Sequence, residues 1–410
     1  MVRGPRLAFL ACVFFAPLAC GDDAGQPDGG DASVEAGVDA PTYPAPHTPM
    51  PQATSGGGSV IASPKVVAIS FQADPLQGAI DAFASDLQNF GDYWKGAVSE
   101  YGVGPIASST YHAAETAAQN LADADVQSWL TDKIQNDATF PKPDESTIYT
   151  LFYPSGTNVV SGGGVTCQQF QGYHDSFALG GTDVVYAIVP RCAPPPVQGV
   201  TDADQMTAEA SHEIVEAATD PLPFKSAAYL TVDSASHAWE LLGGGEIGDL
   251  CAGFGDVFYK PNGFDSLVQR VWSNAAAAAG HDPCEPNGAS PYFNSAPVLA
   301  DTITLYVSGQ AVKTNGVKLL AGQSTTIELD LYSDAPTSGP WKISVLDLTS
   351  AFFGGKPALS FTLDQTTGQN GDVRQLTIQS LRNVSGGAPF WIQNDLGTTT
   401  TVWVAAVNNF

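Results

Sequence analysis

Apolar and polar positions along this chain follow two habits, and the change falls near residue 290. Residues 66–71 form a short apolar run, the pattern of a buried strand. Ile80, Phe83, Leu87, Phe90, Trp94 and Val98 then recur every three or four positions, the period of an amphipathic helix. Val126, Trp129, Leu130 and Ile134 mark a second helix, with Asp123 or Asp125 as its cap. Residues 148–153 and 184–189 read as strands bounded by Pro154 and Pro190. A third helix is expected over 202–219, capped by Thr201 and stopped by Asp220-Pro221.

Beyond residue 295 the runs shorten and alternate: 303–307, 325–331, 341–346, 359–363, 376–378, 390–393 and 402–407, separated by Gly, Asn, Asp and Pro. Strands at this spacing predict an antiparallel, Ig-like β-sandwich over 295–410. The expected fold class is therefore α+β, a mixed α/β domain over 64–290 followed by that sandwich. Length agrees, because the roughly 345 residues left after the N-terminal region exceed what one core usually spans. The sandwich region contains no His and no Cys, which makes it a candidate for support or binding rather than for metal chemistry.

The N-terminus changes the picture. Arg3 and Arg6 precede an apolar run over 7–18 that is too short for a permanent membrane span, the layout of a secretory signal over 1–20. Pro17-Leu18-Ala19-Cys20 resembles a bacterial lipobox, with Pro17 where the pattern favours Leu, and the resemblance makes Cys20 the lipidated residue. Residues 21–63 are rich in Gly, Ala, Asp and Pro without Lys or Arg, and are expected to be a disordered acidic tether. The expected location is the bacterial cell envelope or surface, held to a membrane by the lipid, or the medium. A formal charge of −26 argues against a nucleic-acid partner, which needs a basic face. Cys12 leaves with the signal, and Cys167, Cys192, Cys251 and Cys284 remain for disulfides. Order along the chain favours Cys167 with Cys192 and Cys251 with Cys284.

Candidate chemistry sits on the third helix, in Ser211-His212-Glu213-Ile214-Val215-Glu216. His212 and Glu216 are four apart and point the same way, so they can grip one metal ion, with Glu213 beside them as a base toward a reacting water. This is the geometry of the HExxH helix with Glu as its last member. The Gly-rich segment 243–251 is the best source of a third ligand: Glu246 first, Asp249 second, with His237 as a rival. His174 is read as structural, a lone His close to Cys167. A solvated acidic helix face without metal is the bland alternative.

Tyr101-Gly102-Val103-Gly104, the run 213–221 and Glu246 to Cys251 before Gly253 resemble the phosphate-induced protein (EXORDIUM-like) family. That resemblance implies a secreted, wall-associated protein without settled enzymology. The strand–helix–helix–strand–strand order ahead of a His-Glu helix resembles the zincin metallopeptidases instead. The functional expectation is a surface-anchored zinc-dependent hydrolase, acting on a peptide or protein through His212, Glu216 and Glu246 with Glu213 as base. Ca²⁺ is the second metal considered. The alternative is a noncatalytic surface protein of the EXORDIUM-like kind that binds carbohydrate or protein.

Overall fold

The computed structural model describes residues 41–192, 199–254, 257–307, 309–350 and 355–408. The signal segment, Cys20 and the first half of the expected tether lie outside the described residues. The strands that position the site and its surroundings are β1 (Ala53–Thr54), β2 (Lys65–Ser70), β3 (Ala107–His112), β4 (Thr147–Tyr153), β5 (Tyr173–Leu179), β6 (Thr182–Pro190) and β7 (Thr231–Val232). The helices are α1 (Gln77–Leu87), α2 (Gly91–Val98), α3 (Asp123–Asn136), α4 (Asp202–Thr219), α5 (Asp249–Ala252) and α6 (Asn274–Ala279).

Five of these strands form one sheet in the order β3-β2-β4-β6-β5. All its neighbours run parallel except β5, an antiparallel edge strand against β6. Strand alternation sorts its side chains onto two faces. Val66, Ala68, Ile148, Phe152, Val185 and Val189 face the core shared with α1, α2 and α4. Val67, Ile69, Tyr149, Leu151, Tyr186 and Ile188 face a separate core shared with α3. Burial on both sides explains why these strands read as continuous apolar runs rather than alternating ones. The single amphipathic run over 80–98 becomes two helices, because the chain turns at Asn89, whose N–H donates to the Asp86 carbonyl. Both helices keep the same buried stripe.

The C-terminal strands are β8 (Phe293–Pro297), β9 (Asp301–Val307), β10 (Gln310–Lys318), β11 (Ser324–Ser333), β12 (Trp341–Asp347), β13 (Leu359–Leu363), β14 (Thr367–Gly368), β15 (Val373–Ser380), β16 (Ala388–Leu396) and β17 (Thr399–Asn408). They form two sheets, β8-β11-β15-β13 and β9-β10-β17-β16-β12-β14. Ring pairs join the two inner faces, Phe293 to Trp341 and Phe361 to Phe390, each at 5.3 Å between centroids. The region is thus sheet-rich and sandwich-like, as expected in outline, and it departs from the expected antiparallel fold where β10 and β17 pair in parallel.

Residues 41–63, expected to belong to the tether, instead form a strap over the folded chain. Met50 is 2 % exposed, and Ala45, Ala53 and Ile61 are also buried. β1 pairs with β7. Asn274 donates to the Ala53 carbonyl at 2.8 Å and Thr48 donates to the Pro297 carbonyl at 3.0 Å. The composition of a spacer hid the few apolar residues that dock. Both expected disulfides are present, Cys167–Cys192 and Cys251–Cys284. Among the described residues no helix is long and apolar enough to cross a membrane.

Candidate metal centre

Helix α4 begins where the sequence places it. The Thr201 hydroxyl accepts from the Asp204 N–H at 3.0 Å, and Asp204 reaches back to the Thr201 N–H at 3.3 Å. This satisfies two end donors of the helix and fixes its start. The helix then runs beneath the sheet, and every residue from Gln205 to Thr219 except Glu209 is buried. The face that carries His212, Glu213 and Glu216 is therefore not a solvated acidic face; these residues are 8 %, 3 % and 3 % exposed.

Two further segments meet that face. The loop before α5 brings Glu246 and the first residue of α5 brings Asp249, and this segment is clamped from residues 269–272. Gln269 donates to the Gly248 carbonyl at 2.8 Å and the Trp272 N–H donates to the Ile247 carbonyl at 2.8 Å. Gly248 is required by space: a Cβ there would lie 2.7 Å from Glu216 Oε1 and 2.8 Å from His212 Nδ1. The Asp249 N–H donates to Glu216 Oε1 at 3.1 Å, which turns the other oxygen of Glu216 toward His212. The second segment is edge strand β5, which brings His174 to the same spot.

The resulting ligand groups differ from the expected trio. His212, Glu216 and Asp249 form one group, and His174, Glu216 and Glu246 form another. His212 Nε2 lies 3.2 Å from Glu216 Oε2 and 3.7 Å from Asp249 Oδ1. Glu246 faces His174 Nε2, at 3.4 Å, rather than joining His212 in a group. Asp249, the second choice from sequence, stands beside His212 because α5 starts there and presents that carboxylate. His237 belongs to neither group; its Nδ1 pairs with Glu240 at 3.0 Å. His174, read from sequence as structural, is brought to this face by β5, and nothing in its neighbours along the chain signals a strand that folds back onto α4. Glu209 was also overlooked, although it stands three residues before His212 on the same helix.

Burial and crowding shape the electrostatics. Burial, then Glu213, raises the Glu209 carboxyl to about 8. Burial, then Glu216, raises Asp249 likewise to about 8. Burial also raises Glu213, and with Glu216 it holds Glu246 well above the carboxylate range. Burial opposes charge on both histidines, but the carboxylates facing them win. His174, facing Glu213 and Glu216, rises to about 9, and His212 rises well above its ordinary value. Glu216 is the exception: burial would raise it, yet His212 and His174 hold it below the usual range.

Fit to a metal can be tested on these distances. Ligand atoms about 2.0–2.1 Å from a tetrahedral ion stand about 3.4 Å from one another. Within the His212 group the separations of 3.2 and 3.7 Å lie near that spacing; His174 meets Glu246 at 3.4 Å and Glu216 at 3.8 Å through different ring nitrogens. They are mostly too long for charge-assisted hydrogen bonds, which run about 2.7–2.9 Å. Glu213 Oε2 and Glu246 Oε1 are buried and accept no hydrogen bond. Buried carboxylate oxygens without donors are costly unless a cation faces them. The residues fit a divalent ion.

No protein-family model and no curated protein matches the chain. Among solved structures it is similar to domains 4 and 5 of the S-layer protein SbsC, at 15 % identity and a TM-score of 0.17, over 27 % of this chain and 46 % of that one. It is similar at 13 % identity and a TM-score of 0.17 to the titin M3 domain, over 29 % of this chain and 95 % of that one. The chain spans less than half of that S-layer chain, and overlaps at these TM-scores carry no argument about fold or function.

Proposed function

We propose that this chain is an exported, cell-surface protein whose α/β domain holds a divalent metal ion, zinc foremost, and whose sandwich braces that domain and offers a surface to carbohydrate or protein. The observation that carries the metal reading is the convergence of His212, Glu216 and Asp249 in a buried site. An imidazole in the set favours zinc over calcium, which prefers six to eight oxygens. Two disulfides support an oxidising compartment outside the cytosol. The signal-like start and the lipobox-like Cys20 support export and anchoring. Metal analysis of the purified protein tests the reading. His212→Ala is expected to lose the ion, and a chain that takes up no divalent metal after reconstitution would defeat it.

A second reading, peptide hydrolysis, is favoured by Glu213. Its Oε2 accepts no hydrogen bond and its carboxyl is raised by burial, which suits a group that must take and return a proton near neutral pH. Edge strand β5 pairs on one side only among the described residues and lies against α4, so an extended peptide could add to it. The metal, when bound, supplies polarisation of a substrate oxygen. Glu213→Gln separates the two readings: it keeps the side-chain shape and should retain the ion, while hydrolysis of a casein substrate should fall by orders of magnitude. Wild-type protein, metal-loaded, that cleaves no peptide would leave the noncatalytic reading.

A further inference from the structure

The site contains more ligand chemistry than one ion uses. The two groups share Glu216, and each has its own imidazole and its own carboxylate from residues 246–249. Glu216 Oε2 lies 3.2 Å from His212 Nε2 and 3.8 Å from His174 Nδ1, so a single oxygen faces both rings.

His174 makes the second group informative. Its ring is enclosed, with a side chain only 3 % exposed. Nδ1 faces Glu213 Oε2 at 3.5 Å and Glu216 Oε2 at 3.8 Å. Nε2 faces Glu246 Oε1 at 3.4 Å and the Asp220 carbonyl oxygen at 3.1 Å. All four neighbours are acceptors, and a neutral imidazole has one N–H to give. A neutral ring therefore aims a lone pair at a carboxylate, which is repulsive unless a cation stands near; only a protonated ring would satisfy both sides without one. The carboxylates point the same way: Glu213 Oε2 and Glu246 Oε1, both buried without a donor, face His174 and call for a cation on its side of the site.

We propose that the centre is dinuclear: His212, Glu216 and Asp249 hold one divalent ion, His174, Glu216 and Glu246 hold a second, and Glu216 bridges them. This rests on the metal reading above and goes beyond it in the number of ions and in the role of His174. The pairing of two ions through a shared carboxylate is within the chemistry of two-metal sites, whose ions stand about 3.5–4 Å apart. The rival is a single ion beside His212, with His174 present as a protonated counter-charge.

The test uses the full chain, stripped with chelator and titrated with Zn²⁺ or Mn²⁺. The expected result is two tight equivalents, and with Mn²⁺ a spin-coupled electron paramagnetic resonance spectrum in the wild type. His174→Gln is expected to keep one equivalent and lose the coupling. His212→Ala is expected to keep the other, and Glu216→Ala to bind neither tightly. His281→Ala controls for the acidic surface, because His281 is half-exposed and pairs with Asp334 far along the chain. One equivalent, uncoupled Mn²⁺ and no change in His174→Gln would overturn the dinuclear centre while sparing the single-ion reading. Zero equivalents would end both. The wild-type spectrum decides the matter even where a variant fails to fold.

Discussion

At the scale of single residues, space and protonation make separate claims. Gly248 has helical φ, so alanine there is acceptable to the backbone and the only cost is its Cβ against Glu216 and His212. Gly248→Ala is therefore expected to fold normally and to weaken metal binding about 10- to 100-fold, the range for a disturbed ligand support. Gly253→Ala is the control, since its Cβ would make only an ordinary contact with Leu242 at 3.6 Å. Equal affinities in the two variants, by calorimetry, would show that the close approach does not constrain the ligands. The pH dependence follows from the raised groups. Asp249 and Glu209 stand near 8 and His174 near 9, all above their unfolded values, so the metal-free fold binds more protons than the unfolded chain across this range. Stability from a raised group is complete below its unfolded value and is lost as pH rises through its folded one. The chelated protein should melt at lower temperature as pH goes from 6.5 to 9. With saturating Zn²⁺ the slope should flatten or reverse, because the ion requires deprotonated ligands. A chelated melting temperature that rises over this interval would contradict the charge reading of the site.

At the scale of elements, helix α4 was legible to the residue because its signals are local: Thr201 with Asp204 at one end and Asp220-Pro221 at the other. Three of the five strands of the α/β sheet, β2, β4 and β6, were legible from apolar runs, and the His212–Glu216 pair from helical spacing; β3 and β5 were not, because polar residues interrupt them. What was not legible is long-range. β10 was missed because its sequence alternates with polar residues and reads as a turn region, and β8 because its five residues sit among Ser, Asn and Pro. His174 and Asp249 took their places only through tertiary contacts. The choice between Glu246 and Asp249 turns on where the short helix α5 begins. The disulfides allow these contacts to be weighed. They close loops of similar size, with sequence separations of 25 and 33, so removing either should cost a similar amount, about 3–4 kcal/mol in the chain-entropy account. Their effects on the metal should differ. Cys251 lies in α5, two residues from Asp249, whereas β5 is held along its length by β6 whatever happens at Cys167. Replacing Cys251 and Cys284 by Ala should weaken the His212 side of the centre; replacing Cys167 and Cys192 should lower the melting temperature and leave that side intact. Equal losses of affinity would mean that both bridges act only through global stability.

At the scale of the whole molecule, the strap over 41–63 decides how the two halves behave together. Its first part holds the sandwich: the Ala45 N–H donates to Asn370 at 3.0 Å, and His47 stacks on Tyr332 with centroids 3.6 Å apart. Its second part holds the α/β domain through the β1–β7 ladder and through the Gln52 N–H on Asp233 at 2.9 Å. The halves also touch directly, with Trp239 against both Trp272 and Trp403. The strap covers apolar surface with Met50, Ala53 and Ile61, and its loss would strand groups that now have partners, such as the buried Trp272 indole N–H, which donates to the Pro51 carbonyl, and the Asn274 side chain. Unmet buried donors cost about 1–3 kcal/mol each, so removing the strap is expected to destabilise the fold. A chain begun at Lys65 is therefore expected to melt several degrees lower than one begun at Pro41. It should also melt less cooperatively, the sandwich and the α/β domain separating into two calorimetric transitions as their common tie is removed. If both chains melt together in one transition at the same temperature, the strap is a passive covering, and the direct contacts around Trp239 suffice to join the halves.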